Sequence, residues 1–213
     1  MANRAQSSPD SGRRVVLASG NAGKVREISA ILADLDLDVL PQSQFGVPEV
    51  AETGSTFVEN AIIKARNAAG HAGLPAIADD SGIEVDALDG APGVYSARYA
   101  GEGASDRQNL DKLLADMAGV PAPGRGARFH CVMVYMAHPA DPTPVICHGV
   151  WEGSLLEAPR GTNGFGYDPI FLVPEYACAS AELPPDVKNR ISHRARAVRL
   201  LLERLRSGSR YPA

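Results

Sequence analysis

Cysteine is scarce in this chain, with three residues in 213, Cys131, Cys147 and Cys178. An odd number without C-x-x-C spacing supports neither a disulfide framework nor a zinc site, and a reducing, cytoplasmic setting is expected. Positive charge is not in surplus either. Lys and Arg number 21 against 25 Asp and Glu, a net charge of −4, so a generally basic surface for nucleic acid is not expected and any phosphate binding must be local. No run approaches the roughly 18 apolar residues of a membrane span. The opening "MANRAQSSPDSGRR" has no apolar stretch of the signal-peptide kind and reads as a flexible tail over residues 1–12. Aromatics make up only 6%. What is present is 45% hydrophobic residues, enough for a sizeable core. One domain over 13–208, with two lobes sharing a cleft, and a short tail at 209–213 are expected.

Along the chain, "RRVVLAS" is a β-branched run, "GNAG" a loop, and Val25, Ile28, Leu32 and Leu35 fall on one helical face. In "STFVENAIIKARNAAGHAG", Thr56 and Glu59 make a capping-box pattern, Val58, Ala61, Ile62, Ala65 and Ala69 form the apolar face, and Gly70 or Gly73 ends the helix. Ser105 caps a helix carrying Leu110, Leu113, Leu114 and Met117, before a Pro/Gly-rich connection at 119–126. "ARFHCVMVYMA" and "PVICHGVWEGSLL" suit a long antiparallel hairpin around "HPADPT". The stretch "APRGTNGFGYDPIFLVPE" is loop-rich. Ser192 caps a last helix with Val198, Leu201, Leu202 and Leu205 on its buried stripe. Helices alternating with strands, then a hairpin, predict an α/β fold with a mixed twisted central sheet and two lobes flanking a cleft.

Four pieces carry chemistry. "SGNAGK", residues 19–24, sits between strand and helix, where free N–H groups, glycines and Lys24 suit a phosphate. It has neither the Walker A nor the G-x-G-x-x-G spacing, and an ordinary strand-to-helix turn would look similar. In "IADDSG", Asp79 and Asp80 stand side by side at what reads as a strand end. Either they begin a turn with Ser81 and Gly82, or the strand tip projects them into a cleft. In "TNGFGYDPIF", Phe165 and Tyr167 flank Gly166, so their rings can form a stacking surface beside the acceptor Asp168. In "ISHRARA", His193 and Arg194 occupy a helix first turn, where cations oppose the dipole, which hints at a use as donors. Lys64 and Glu52 read individually as solvated charges, and Lys188 is either another phosphate contact or an exposed loop lysine.

Together, "SGNAGK", "ETGSTFVENAIIKA", "ADDSG", "GAPGVYSARYAG", "GFGYDP" and "ISHR" resemble the inosine triphosphate pyrophosphatase family, also called dITP/XTP pyrophosphatases, and its bacterial members most nearly. The likeness spans residues 14–205. It implies a Mg²⁺-dependent homodimer that splits a purine nucleoside triphosphate into a monophosphate and pyrophosphate, with no nucleic-acid or membrane partner. Carried over by motif, Ser19, Gly20, Asn21 and Lys24 would hold the triphosphate with Lys64 and Lys188. Glu52 and Asp80 would hold the metal, Asp80 would activate water with Ser81 nearby and Asp79 in support, and Phe165, Gly166, Tyr167, Asp168, His193 and Arg194 would form the base pocket. Arg98 is left without a role. A pyrophosphatase for other modified nucleotides and a non-catalytic nucleotide sensor remain open alternatives at this level.

Overall fold

The computed structural model describes residues 14–32 and 37–207. Both expected tails and the predicted helix position Leu35 lie outside them. Seven strands form one open sheet in the order β2-β1-β3-β4-β5-β6-β7. The strands are β1 (Arg14–Ala18), β2 (Asp38–Pro41), β3 (Ala76–Val85), β4 (Gly126–Met136), β5 (Val145–Leu155), β6 (Phe171–Val173) and β7 (Cys178–Ala179). β2, β1 and β3 run parallel, as their helical crossovers require, and the remaining neighbours are antiparallel.

Helices cover both faces. α1 (Ala22–Leu32) and α5 (His193–Ser207) lie on one face, burying Ile28, Leu32, Val198 and Leu201 with Val15, Leu17, Ile77 and Met133. α2 (Phe57–Ala72) lies on the other, where Ala61, Ala65, Ala68 and Ala69 meet Val16, Ala78, Val132 and Val134. The small side chains of α2 let it sit close to the sheet. A further core forms where the far half of the β4–β5 hairpin packs on α3 (Asp106–Asp116), β6 and the residues around α4 (Pro185–Ile191), through Ile83, Leu113, Phe129, Trp151 and Phe171. The first two cores flank the sheet at β1, β3 and β4 to make one lobe, and the third makes the other.

The predicted caps are formed. Thr56 and Glu59 make the capping box of α2, Ser105 with Gln108 makes that of α3, and Ser192 Oγ accepts the Ala195 N–H at 3.2 Å. Gly73, in the left-handed region at φ 63°, ends α2, while Gly70 lies within the helix. β2, β6, β7 and α4 carry no period strong enough to be read from sequence, since each is two to seven residues long.

One expectation is corrected. β3 does not end at Asp79 and Asp80; it continues to Val85, with Asp79 opposite Met133 and Asp80 opposite Val132 on β4. Its pairing with β1, however, stops at Ala78, because β1 ends at Ala18. Beyond Ala78 β1 no longer covers that edge, and farther along residues 92–96 do, with a bridge from Glu84 to Pro92 and the Ile83 N–H donating to Ser96 Oγ at 2.9 Å. Ser81 and Gly82 are strand residues rather than a turn. Gly82 is required for another reason: a Cβ there would lie 2.4 Å from Gly93 O and 2.5 Å from Ser96 Oγ, so its absence lets the 3₁₀ turn Gly93–Arg98 cross the strand.

Candidate active site

Strand alternation decides what the two aspartates do. Consecutive residues point to opposite faces, so Asp80 turns toward α2 and Asp79 toward α1 and α5. On the α2 side, Asn60, Lys64 and Asn67 recur at helical spacing. Lys64 Nζ lies 2.9 Å from Asp80 Oδ1 and 3.2 Å from Glu52 Oε1, so carboxylates from separate segments converge on one ammonium. Fully buried Asn60 ties the two segments, accepting the Gly54 N–H at 2.8 Å and donating to Asp80 Oδ2 at 3.4 Å. Burial would weaken the charge on Lys64, but Asp80, Asp79 and Glu52 overcome it and raise its pKa. Burial pushes the Asp80 carboxyl upward, against the pull of Lys64 and Lys24, and Glu52 adds to the rise. Of the two adjacent aspartates, Asp80 is thus the one whose proton affinity is raised.

At the start of α1, the Asn21 N–H donates to Ser19 Oγ at 3.3 Å and Asn21 Oδ1 accepts the Lys24 N–H at 3.0 Å. Side chains thereby fix the loop, and Lys24 reaches Asp79 Oδ2 at 3.1 Å. Ser19, Gly20, Asn21, Lys24, Glu52, Lys64, Asp80 and Ser81 line one end of a cleft of about 370 Å³. Phe165, Gly166, Tyr167, Asp168, Lys188, His193 and Arg194 line the other end. The sequence-predicted residues therefore meet in one cavity, apart from Asp79, which stands behind it.

Asp79 is buried, and its carboxyl is held well below the usual range: the cost of burial is outweighed by Lys24, Arg194 and Lys64. It is a counter-charge to the cleft rather than a group facing it. Arg194, 1% exposed, bridges the halves of the site. Its Nη2 donates to Ser81 Oγ at 3.0 Å and lies 3.5 Å from Asp79 Oδ2, while Nη1 pairs with Glu27 Oε2. Glu27 also receives Lys188 Nζ at 2.8 Å. Phe165 lies over both cations, its ring centroid 5.2 Å from Lys188 Nζ and 5.6 Å from the Arg194 guanidinium carbon.

The base loop differs from its sequence reading. Tyr167 does not project a ring into the open; it is buried in the second-lobe core and donates its hydroxyl to Ser96 O at 2.7 Å. Asp168 is also buried, and its oxygens are committed. Oδ2 accepts the Phe165 N–H at 2.9 Å and meets Lys188 at 2.5 Å, and Oδ1 accepts from Ser180 at 2.8 Å. The cause is the chain reversal between Gly164 and Gly166, both at positive φ, which turns the following residues inward. Phe165 alone of the two aromatic rings stays half-exposed. Lys188, grouped with the phosphate residues by sequence, lines the cleft and braces this loop through Asp168.

His193 is buried against Phe129, with ring centroids 4.7 Å apart and planes 13° apart. Burial, reinforced by Arg194, Lys188, Lys24 and His130, drives its pKa well below 6.5, so it stands neutral. Because the unfolded chain binds this proton more readily than the native one, its contribution is fully present above pH 6.5 and is lost as pH falls below that value. Urea midpoints between pH 6.5 and 5 should show a slope of up to about 1.4 kcal/mol per pH unit from this group. His193→Asn should flatten that slope; an unchanged slope would assign it elsewhere.

Sequence reasoning missed Glu27, Asn60, Ser96 and Asp106. Glu27 follows Lys24 by one helical turn, and Asn60 precedes Lys64 by one, which was the available signal. Arg98 lines the cleft, pairing with Glu102 at 3.4 Å and lying over the Tyr95 ring at 5.2 Å.

The fold and cavity define a two-lobed α/β protein whose cleft joins a polyanion loop and an acidic pair to an aromatic and cationic end. The Ham1 family model matches residues 15–204, and the chain belongs to that family. It is 64% identical over 193 residues to a Vibrio parahaemolyticus protein named dITP/XTP pyrophosphatase, covering 91% of this chain and 96% of that one. A Shigella flexneri protein of the same name is 58% identical over 196 residues, covering 92% and 100%. Among solved structures, a HAM1 protein from Coxiella burnetii superposes with a TM-score of 0.85 at 52% identity, covering 92% of this chain and all of that one.

Proposed function

We propose that this chain hydrolyses deaminated purine nucleoside triphosphates, ITP, dITP and XTP, to the monophosphate and pyrophosphate in a Mg²⁺-dependent reaction that cleanses the nucleotide pool. The enzyme class follows from family membership and from relatives that carry the name dITP/XTP pyrophosphatase. The observation that carries the reading is the convergence of Glu52 and Asp80 on a single cation beside the α1 loop.

These residues fit magnesium. Two hard carboxylates from different segments face the cleft, and Lys64 already marks a place where both reach positive charge. Two carboxylates suit an ion that keeps several waters and shares substrate oxygens. When bound, Mg²⁺ would neutralise and orient phosphate oxygens. The chain's own groups do the rest. Ser19, Asn21, the backbone at Gly20 and Lys24 hold the triphosphate at the start of α1. Asp80 takes a proton from the water that adds across the α–β phosphoanhydride, and Lys64 balances the charge.

At the other end, His193 Nδ1 and Arg194 Nε are buried without a hydrogen-bond partner among the described residues. Donors there favour a 6-oxo purine and oppose the 6-amino group of adenine. In this role the chain works in the cytoplasm as a homodimer, as the family resemblance implies. The test is an ITP hydrolysis assay, with and without Mg²⁺, that identifies pyrophosphate as product and compares ITP, XTP, GTP and ATP. ITP should exceed ATP by about 10²-fold or more in kcat/KM. Equal rates on ATP would overturn the base-pocket reading, and orthophosphate as the product would overturn the reaction.

A further inference from the structure

The tip of the base loop is held from two sides, and the two anchors differ in character. On the inner side Asp168, 2% exposed, fixes it through Phe165, Lys188 and Ser180. On the cleft side the Gly166 N–H donates to Asp106 Oδ2 at 2.8 Å, across 60 residues of sequence, and this bond is exposed. Gly166, at φ 60°, turns its N–H toward that wall.

Asp106 is carried on a fixed element. It is the first residue of α3, whose N-terminus is closed by the Ser105–Gln108 capping box. Buried Asn109 on the same helix grips the neighbouring segment, donating to Ala97 O at 3.0 Å and accepting the Ala100 N–H at 2.8 Å. The wall is rigid and the bond to the loop is wet. An exposed hydrogen bond competes with water, so of the two anchors it is the cheaper to open.

We propose that Asp106 is a specificity-determining positioning residue: its carboxylate holds Gly166, and with it the Phe165 ring, over the nucleobase end of the cleft. This rests on the nucleotide reading above. Phe165 follows Gly166 because they are adjacent, and its other backbone ties in the loop both run to Asp168, whose carboxylate accepts the Phe165 N–H at 2.9 Å and whose N–H donates to Phe165 O at 3.2 Å. Releasing Gly166 therefore loosens the aromatic wall without touching the Glu52, Lys64 and Asp80 end.

The test is steady-state kinetics with ITP on the full-length enzyme and two variants. D106A should raise KM roughly five- to tenfold, the net worth of one ordinary hydrogen bond exposed to water, while kcat stays within about twofold. Inhibition by inosine and by IMP should weaken in parallel with KM, and inhibition by pyrophosphate should not change. The preference for ITP over ATP should fall. D106N loses the same charge at the α3 N-terminus but keeps an acceptor oxygen, so it should return KM to within about threefold of wild type. An unchanged KM in D106A, an equal loss of pyrophosphate affinity, or identical behaviour of D106A and D106N would each overturn the proposal. Absence of ITP turnover in the wild-type enzyme would remove the underlying reading, and this one with it.

Discussion

Asp80→Asn is expected to lower kcat by about 10²- to 10⁴-fold while the protein stays folded. Asparagine keeps the shape of the side chain but cannot take up a proton, and it removes one of the two charges facing Lys64. Little stability should go with it, because Lys64 retains Glu52 at 3.2 Å and the site opens to the cleft. Pyrophosphate release from ITP reads the rate, and circular dichroism through a thermal ramp reads the fold. Turnover within about tenfold of wild type would remove Asp80 from its role as base.

The adjacent residue should behave in the opposite way. Asp79→Asn is expected to cost about 3–5 kcal/mol of unfolding free energy, the range for breaking a buried ion pair by removing one partner. The Asp79 side chain is fully enclosed and faces Lys24 at 3.1 Å and Arg194 at 3.5 Å. Neutralising it leaves Arg194, itself 1% exposed, with Glu27 as its remaining carboxylate, and Glu27 is shared with Lys188. The damage would run along the chain of alternating charge that joins α1, β3, α5, α4 and the base loop. Urea unfolding at constant m measures it. A loss below about 1 kcal/mol would show that the network tolerates a missing anion. The pair tests one idea twice, since only alternation along β3 makes neighbouring aspartates differ, one read out in rate and the other in stability.

How far the site was legible depended on the kind of signal. "SGNAGK", Thr56 with Glu59, Ser105 and Ser192 are local instructions: a glycine-bearing loop before a helix, or an oxygen three residues from the N–H it accepts. Each formed as read. The base loop was half legible. Two glycines around Phe165 announced a tight reversal, but not that the reversal would bury Tyr167 and commit Asp168 to Lys188, because that depends on what packs beneath. Glu27 carried only its spacing one turn after Lys24 as a signal, and Asp106 carried none. Each looks like a surface charge on an amphipathic helix until a partner from a distant segment meets it.

The sequence by itself determined the α/β class, the capped starts of α2, α3 and α5, the residue types gathered around the cleft and the family resemblance, since these rest on periodicity, capping and motif order along the chain. Only the tertiary structure decided that β3 runs on past β1, that Asp79 and Asp80 serve opposite faces, that Lys188 braces the base loop and that Asp106 holds its tip. The physical reason is that a charge acquires its role from its counter-charge and its burial. Glu27 and Lys188 stand 161 residues apart in sequence yet meet at 2.8 Å, and nothing short of the folded sheet brings them together.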